Sequence, residues 1–412
     1  MCLVAYSKSA LDQMLIICHN YSRRWRYDYN ASKCAVIVFN ESPRDYKHQN
    51  RIWRLGNEII RETTEYTHLG ITLNKYMTIS SCLTSANSKL RSTFFSIINN
   101  GIYENGIHPI TSFKIYKAVV LPKALYGCEL WHDISKTQLV KLERSHKFCV
   151  KYIQCIVRST RSDIALSLLG CRSLESEIDY KKLTLLGQLC RLSTDFISKD
   201  LFNNRLIRFI DDPHNKSGFF PDLYRILQKY DLVYFLNNYV TYGIFPTKFH
   251  WKSVIRDSID KVSSLRVHTR MESDSKLHVY ALYNNINRCS PIWLFCKKHP
   301  NMLIECQSTI KLLSKLNSHE YNQICFRCGM HTSTLAEHII YECDVNEQYR
   351  QCLWTKLLNI VGLKNYMSFI RTDTRVQITQ LCTGLCVHLN KDNQDKCIQL
   401  VIFYFHKMFQ VT

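Results

Sequence analysis

Long apolar runs are missing from this 412-residue chain. The longest strongly apolar stretches, such as residues 400–405, which His406 and Lys407 close, fall far short of the roughly 20 residues that span a bilayer. No transmembrane helix is expected, and the reading is one of no membrane partner. Glycine and proline are scarce, at 12 and 8 residues, which excludes collagen-like and low-complexity disordered chains. Acidic residues are also short: 34 Asp and Glu face 54 Lys and Arg, a formal net charge of +20. That excess repels itself until a polyanion neutralises it, so nucleic acid is the leading partner class.

A secretory signal is missing too, because residues 1–8 have no basic segment ahead of their short apolar run. The N-x-S sequons at Asn20, Asn30, Asn40 and Asn215 are then chance, and a nuclear or cytoplasmic location is expected. Cysteine is plentiful by contrast. Nineteen of them, an odd number scattered along a long chain, argue for reduced thiols used as small buried hydrophobes, not for a disulfide framework.

The expected fold class is α+β, predominantly α-helical. Ser9-x-x-Asp12 reads as a capping box, and Leu11, Met14, Leu15, Cys18 and Trp25 recur at helical spacing. Residues 34–39 form a β-branched apolar run expected to be a strand buried on both faces. A polar stretch over 40–50 follows, then a hairpin module with a Gly56-Asn57 turn and a strand-like run over 66–73. Beyond about residue 78 the pattern is helical: Leu83, Ala86, Leu90, Phe94 and Ile97 make one stripe, and Phe113, Tyr116 and Val120 begin another that Pro122 should kink or end. Four regions are expected, over residues 1–78, 79–165, 166–320 and 321–412.

At 100° per residue, Leu139, Leu142, Cys149, Val150 and Ile153 share one helix face, while Lys141, Arg144, Lys147 and Lys151 occupy the other with Phe148 among them. A phosphate-binding ridge and an ordinary solvated face both fit this pattern. Arg23-Arg24-Trp25-Arg26-Tyr27 alternates guanidinium and aromatic groups, which can grip phosphate and stack bases; a snorkelling helix end with Trp25 buried fits equally.

The sharpest spacing is Cys325-x2-Cys328-x9-His338-x4-Cys343. Two thiolates on a tight turn, followed by His and Cys about one helical turn apart, can close a tetrahedral shell around a structural zinc. His331 is a competing nitrogen, awkwardly close to Cys328. Several weaker motifs fail. His319-Glu320 lacks the second His of a zinc-protease helix, Ile107 stands where the Gly101–Gly106 spacing would need a lysine, and Cys382 with Cys386 reads as core.

The order of elements resembles the reverse transcriptases of non-LTR (LINE-like) retrotransposons. Cys2-Leu3-Val4, the helix with Ser9 to Cys18, Asn30-Ala31-Ser32-Lys33-Cys34 and Tyr66-Thr67-His68-Leu69-Gly70-Ile71 resemble the back of their palm; Leu121-Pro122-Lys123-Ala124-Leu125-Tyr126-Gly127-Cys128-Glu129-Leu130-Trp131 resembles their thumb motif, and the Cys/His cluster their C-terminal zinc knuckle. The resemblance implies RNA template and DNA primer or target as partners, a primer-supporting hairpin at residues 66–73, and a place near the incoming nucleotide for Lys33. The pattern alone reads Lys33 equally as an exposed strand-edge lysine.

The family's Tyr/Phe-Ala-Asp-Asp turn precedes the strand that Cys2-Leu3-Val4 resembles, so the paired aspartates are not in these 412 residues, and Mg2+ enters only with such an upstream part. Phe209-Ile210-Asp211-Asp212 looks like that turn, but Pro213 follows and the segment reads as a loop. The expectation is a reverse transcriptase fragment that binds RNA and DNA without polymerising. A stand-alone zinc-dependent nucleic-acid-binding protein of retroelement origin and a functionless relic are the alternatives.

Overall fold

The structure is a computed structural model, and it describes residues 1–41, 51–103, 106–212, 214, 217–283, 287–317, 323–384 and 391–410. Most of the expected polar stretch over 40–50, the His319-Glu320 pair and Cys386 lie outside the described residues. The protein is α+β and predominantly helical, with three small sheets among the described residues. It divides into two compact units, Met1–Ser85 and Ala86–Thr412.

The first unit packs a helix on a short sheet. Helix α1 (Lys8–Arg24) starts at Ser7, not at Ser9: the extended Ser7 places its Oγ to accept from the Ala10 N–H at 3.2 Å, while Asp12 pairs with Lys8 at 2.6 Å. Strands β1 (Ala35–Val36), β2 (Trp53–Leu55) and β3 (Glu58–Glu62) lie in the order β1-β3-β2, with β1 parallel and β2 antiparallel to β3. The strand expected over residues 34–39 is cut to two residues because β3, its partner, ends at Glu62 opposite Val36. Leu15, Val36, Trp53, Leu55 and Ile60 form the core beneath α1. Gly56 turns β2 into β3 at φ +63°, and a Cβ there would meet the His19 ring at 2.4 Å.

The run over residues 66–73 is itself a hairpin. Strands β4 (Glu65–His68) and β5 (Ile71–Asn74) pair antiparallel, and Leu69 and Gly70 reverse the chain with positive φ. Helix α2 (Ser80–Ile98) follows, and its stripe Leu83, Ala86, Leu90 and Phe94 is buried as the spacing implies.

The second unit is helical. Helix α3 (Pro109–Ile115) runs into a π turn (Tyr116–Val120) and then α4 (Leu121–Ala124), burying Phe113, Tyr116 and Val120. Pro122 therefore neither breaks nor sharply ends the helix where it stands. Its missing N–H is accommodated by the wider turn just before it, and the helix closes two residues later. Helix α5 (Lys136–Ile153) opens on a capping box in which Ser135 Oγ accepts from the Gln138 N–H and Gln138 Oε1 from the Ser135 N–H.

Beyond it, α6 (Ser162–Leu168), α7 (Leu174–Arg191), α8 (Ile197–Asp211), α9 (Phe219–Lys229), α10 (Val233–Tyr242) and α11 (Lys248–Glu272) follow, and Leu183, Leu186, Phe202, Leu223, Leu227, Trp251 and Ile255 gather from α7 to α11 into one core. Asp211 belongs to the last turn of α8 and Asp212 caps it, so the segment expected as a loop is a helix end. Helices α12 (His278–Tyr283), α13 (Pro291–Lys298) and α14 (Leu303–Leu316) lead to strands β6 (Gln323–Ile324) and β7 (His331–Thr332), the short helix α15 (Leu335–Glu337), then α16 (Glu347–Val361), α17 (Leu363–Ile370), α18 (Thr374–Thr383) and α19 (Lys391–Phe409). Among the described residues no helix is long and apolar enough to cross a membrane.

Candidate metal centre and basic helix face

The Cys/His cluster is built on the β6–β7 hairpin and the turn after α15. The Cys325 N–H donates to Met330 O and the Gly329 N–H donates to Cys325 O, both at 2.8 Å, so the chain reverses between the two cysteines with Gly329 at φ +75°. His338 and Cys343 are five residues apart, a spacing that on an α-helix would set them about 140° apart. Residues His338–Glu342 form a π turn instead, closed by the Cys343 N–H on His338 O at 2.8 Å, and this brings both ligand residues to one side.

The result is convergent. One ligand atom each from Cys325, Cys328, His338 and Cys343 lies within 4.8 Å of every other. Cys325 Sγ is 4.0 Å from Cys343 Sγ, and Cys328 Sγ is 3.2 Å from His338 Nε2. Tetrahedral zinc, with sulfur at about 2.3 Å and nitrogen at about 2.0 Å, sets S···S near ~3.8 Å and S···N near ~3.5 Å, so the donor set fits that ion. His338 Nδ1 lies 3.2 Å from Glu342 Oε2, an arrangement in which the carboxylate holds the tautomer that leaves Nε2 facing the sulfurs. His331 is exposed on β7 and lies outside the group.

Three of the four ligand residues are buried, and their surroundings are apolar: Leu335, Ala336, Ile339 and Ile340 are buried alongside, and Phe326 meets Phe409 of α19 edge-on at 5.5 Å. Burial pushes the Cys343 thiol up to about 11, and the charge of Cys325 adds to this. Burial acts the same way on Cys325, but the backbone N–H groups of Cys328 and Arg327 outweigh it and hold that thiol below its ordinary range. Backbone donors aimed at a sulfur favour the thiolate a metal needs.

The second candidate is the solvent side of α5. Leu142, Cys149, Val150 and Ile153 are buried, while Lys141 and Arg144 are exposed and Lys147 and Lys151 half-buried on the other side. Lys151 Nζ donates to Arg158 O at 2.8 Å, and partial burial lowers its pKa. Glu143, Ser145 and His146 are also buried, where the helical spacing gave no sign of it. Glu143 accepts from the Glu175 N–H at the start of α7 at 3.0 Å, and its burial raises its pKa. His146 Nε2–H donates to Arg172 O at 3.1 Å, so its Nδ1 accepts from the Tyr116 hydroxyl at 2.7 Å. That tautomer leaves no base for Cys171, whose Sγ lies 3.4 Å from the same Nε2 and whose pKa burial raises; the trio is a core network, not a nucleophile.

In the first unit, Arg23, Arg24 and Arg26 are exposed at the end of α1, and Trp25 is 62% exposed, which removes the buried-Trp reading. Tyr21 lies 6.1 Å from Trp25, and Tyr27 meets Tyr29 edge-on at 5.3 Å, so the guanidinium groups are interleaved with open rings. Lys33 ends a 3-10 turn (Ala31–Lys33) and is exposed; it does not sit on a strand edge, because the chain pairs with β3 only from Ala35. Its carbonyl accepts from the Tyr66 hydroxyl of β4 at 2.8 Å, which ties the Lys33 turn to the hairpin.

Comparison with known proteins gives a distant and partial kinship. Over 141 residues, 34% of this chain and 15% of the relative, it is 25% identical to the RNA-directed DNA polymerase from mobile element jockey of Drosophila funebris. The protein of the same description from Drosophila melanogaster is 25% identical over 134 residues, covering 32% of this chain and 14% of the relative. The match thus spans about 15% of the length of these curated relatives. About a third of the chain is similar to part of the RNA-directed DNA polymerase from mobile element jockey. No family model matches the chain, and no solved structure matches it.

Proposed function

We propose that this chain is a nucleic-acid-binding part of a mobile-element reverse transcriptase of the non-LTR type. In this reading residues 1–78 are a palm portion with a primer-supporting hairpin, 79–165 a thumb-like region, 166–320 a connector, and 321–412 a zinc knuckle with C-terminal helices. The site of action is the nucleus or the cytoplasm. The observation that carries the reading is the two-sided α5, with Lys141, Arg144, Lys147 and Lys151 on the solvent side of a helix whose other side is core. Arg23, Arg24 and Arg26 add a second basic surface beside open aromatic rings.

The partners are RNA template and DNA primer or target, bound through phosphates with little sequence preference. The zinc is structural: four protein ligands leave no position for an activated water. The 412 residues by themselves do not extend a primer with Mg2+ or Mn2+, because in-line phosphoryl transfer needs carboxylates that hold two metals together. Binding of single-stranded RNA and of a primer-template, titrated across salt, tests the proposal. Replacing Lys141, Arg144, Lys147 and Lys151 by Ala should flatten the plot of log affinity against log salt by about three units, at about 0.7 to 0.9 per lost contact. An unchanged slope makes this side of α5 a solvated face, and primer extension above background by the chain alone overturns the non-polymerising assignment.

A further inference from the structure

The stripe on α5 is interrupted by Phe148, one turn from both Arg144 and Lys151, and Phe148 does not stand alone. Phe95 of α2 lies beside it, ring centroids 6.0 Å apart, and Tyr152 lies 6.2 Å away on the other side. Two guanidinium groups are held on these rings: Arg91 sits 5.9 Å from the centroid of Phe95 and 5.7 Å from that of Phe148, and Arg158 sits 5.5 Å from Phe148. Among the described residues neither Arg91 nor Arg158 pairs with a carboxylate, so both charges are oriented by aromatic faces and free to meet phosphate. Phe95 is 45% exposed although it lies next in sequence to Phe94, which is wholly buried. An open ring between two unpaired guanidinium groups, at the margin of a lysine and arginine stripe, matches the chemistry of an unpaired nucleotide: a flat base to stack and a phosphate on either side.

We propose that Phe95, framed by Arg91 and by the Phe148–Arg158 pair, is a stacking platform for unpaired nucleobases, and that it gives this surface a preference for single-stranded RNA or DNA over duplex. The proposal rests on the nucleic-acid reading above and sharpens it, since phosphate contacts alone do not distinguish strands whose bases are stacked inside a helix from strands whose bases are open. A duplex hides its base faces; only a single strand can offer one to Phe95.

The test uses the full chain and two labelled probes of equal length, an oligouridylate and a blunt RNA duplex. Phe95→Ala should weaken oligouridylate binding about 5- to 100-fold, the loss of one stacked base, with the salt slope unchanged because no charge is removed. Duplex binding and melting temperature should stay at the parent values, and Phe95→Trp should restore oligouridylate affinity. Unchanged oligouridylate affinity in Phe95→Ala, equal losses on both probes, or failure of Phe95→Trp to rescue would each overturn the platform. If the ridge variant loses binding while Phe95→Ala does not, the platform falls and the nucleic-acid reading stands; if the parent chain binds neither probe, both fall.

Discussion

The Cys/His centre and the basic face of α5 are opposite solutions to the handling of charge. In the first, four ligand atoms converge from a hairpin and a π turn into a buried space, with backbone N–H groups of Cys328 and Arg327 aimed at the Cys325 sulfur. In the second, Lys141 and Arg144 are exposed and Lys147 and Lys151 half-buried on a helix whose other side is packed, and Arg91 and Arg158 lie against aromatic rings. Convergent thiols in an apolar shell can be held together by an ion, and on the proposed reading the metal would be part of the fold. The exposed Lys141 and Arg144 contribute little to the fold, which leaves them available for the binding role proposed above. On the proposed reading, charge serves stability in one region and binding in the other.

The largest effect should come from the centre. Cys343→Ser should abolish stoichiometric zinc and unfold the local structure around residues 323–346, with on the order of 10 kcal/mol of metal-linked folding free energy at stake; metal analysis of the purified variant together with amide exchange checks it, and zinc retained at one per chain would contradict the shell. Next is the core beneath the basic face. Burial depresses the His146 pKa from 6.5 to about 4, so the unfolded chain binds a proton in that window while the folded one does not. The contribution is fully present above pH 6.5 and is lost as the pH falls through the window, to a total of about 3 kcal/mol. Denaturant titrations between pH 7 and 4 should show that decline, and His146→Gln should remove this part of it.

A smaller effect belongs to the carboxylate behind the ligand. Glu342→Gln keeps the size and removes the charge that holds His338, and zinc affinity measured by chelator competition should fall about 10- to 100-fold with the ligand set intact. The smallest effect is on the stability of the basic face. Lys141→Ala and Arg144→Ala should each shift unfolding free energy by less than about 0.5 kcal/mol, because both side chains are exposed. A larger shift would mean that the face is structural, and the contrast between the two regions would collapse.

Gly187 shows a third kind of constraint, one of space. A Cβ there would meet the fully buried Trp251 ring at 2.3 Å, and Trp251 Nε1 donates to Leu183 O at 2.8 Å, which fixes the ring in place. Nothing in the local pattern of α7 announces this.

Much of the secondary structure and the grouping of Cys325, Cys328, His338 and Cys343 could be read from residue order alone. Helical stripes such as Leu83, Ala86, Leu90 and Phe94 repeat at the period of the helix they form, and the ligand spacing around Cys325 and Cys343 is a local property of a hairpin and one turn. Both are short-range, and short-range order is written in spacing. The tertiary structure decided what depends on distant partners. Residues 34–39 form only a two-residue strand because β3 ends, Trp25 is open because nothing in its unit covers it, and Glu143 and His146 are buried because the Glu175 N–H and the Tyr116 hydroxyl and Arg172 carbonyl answer them. Arg91 and Phe95 meet Phe148 and Arg158 only once α2 lies beside α5, and no periodicity within either segment encodes that encounter.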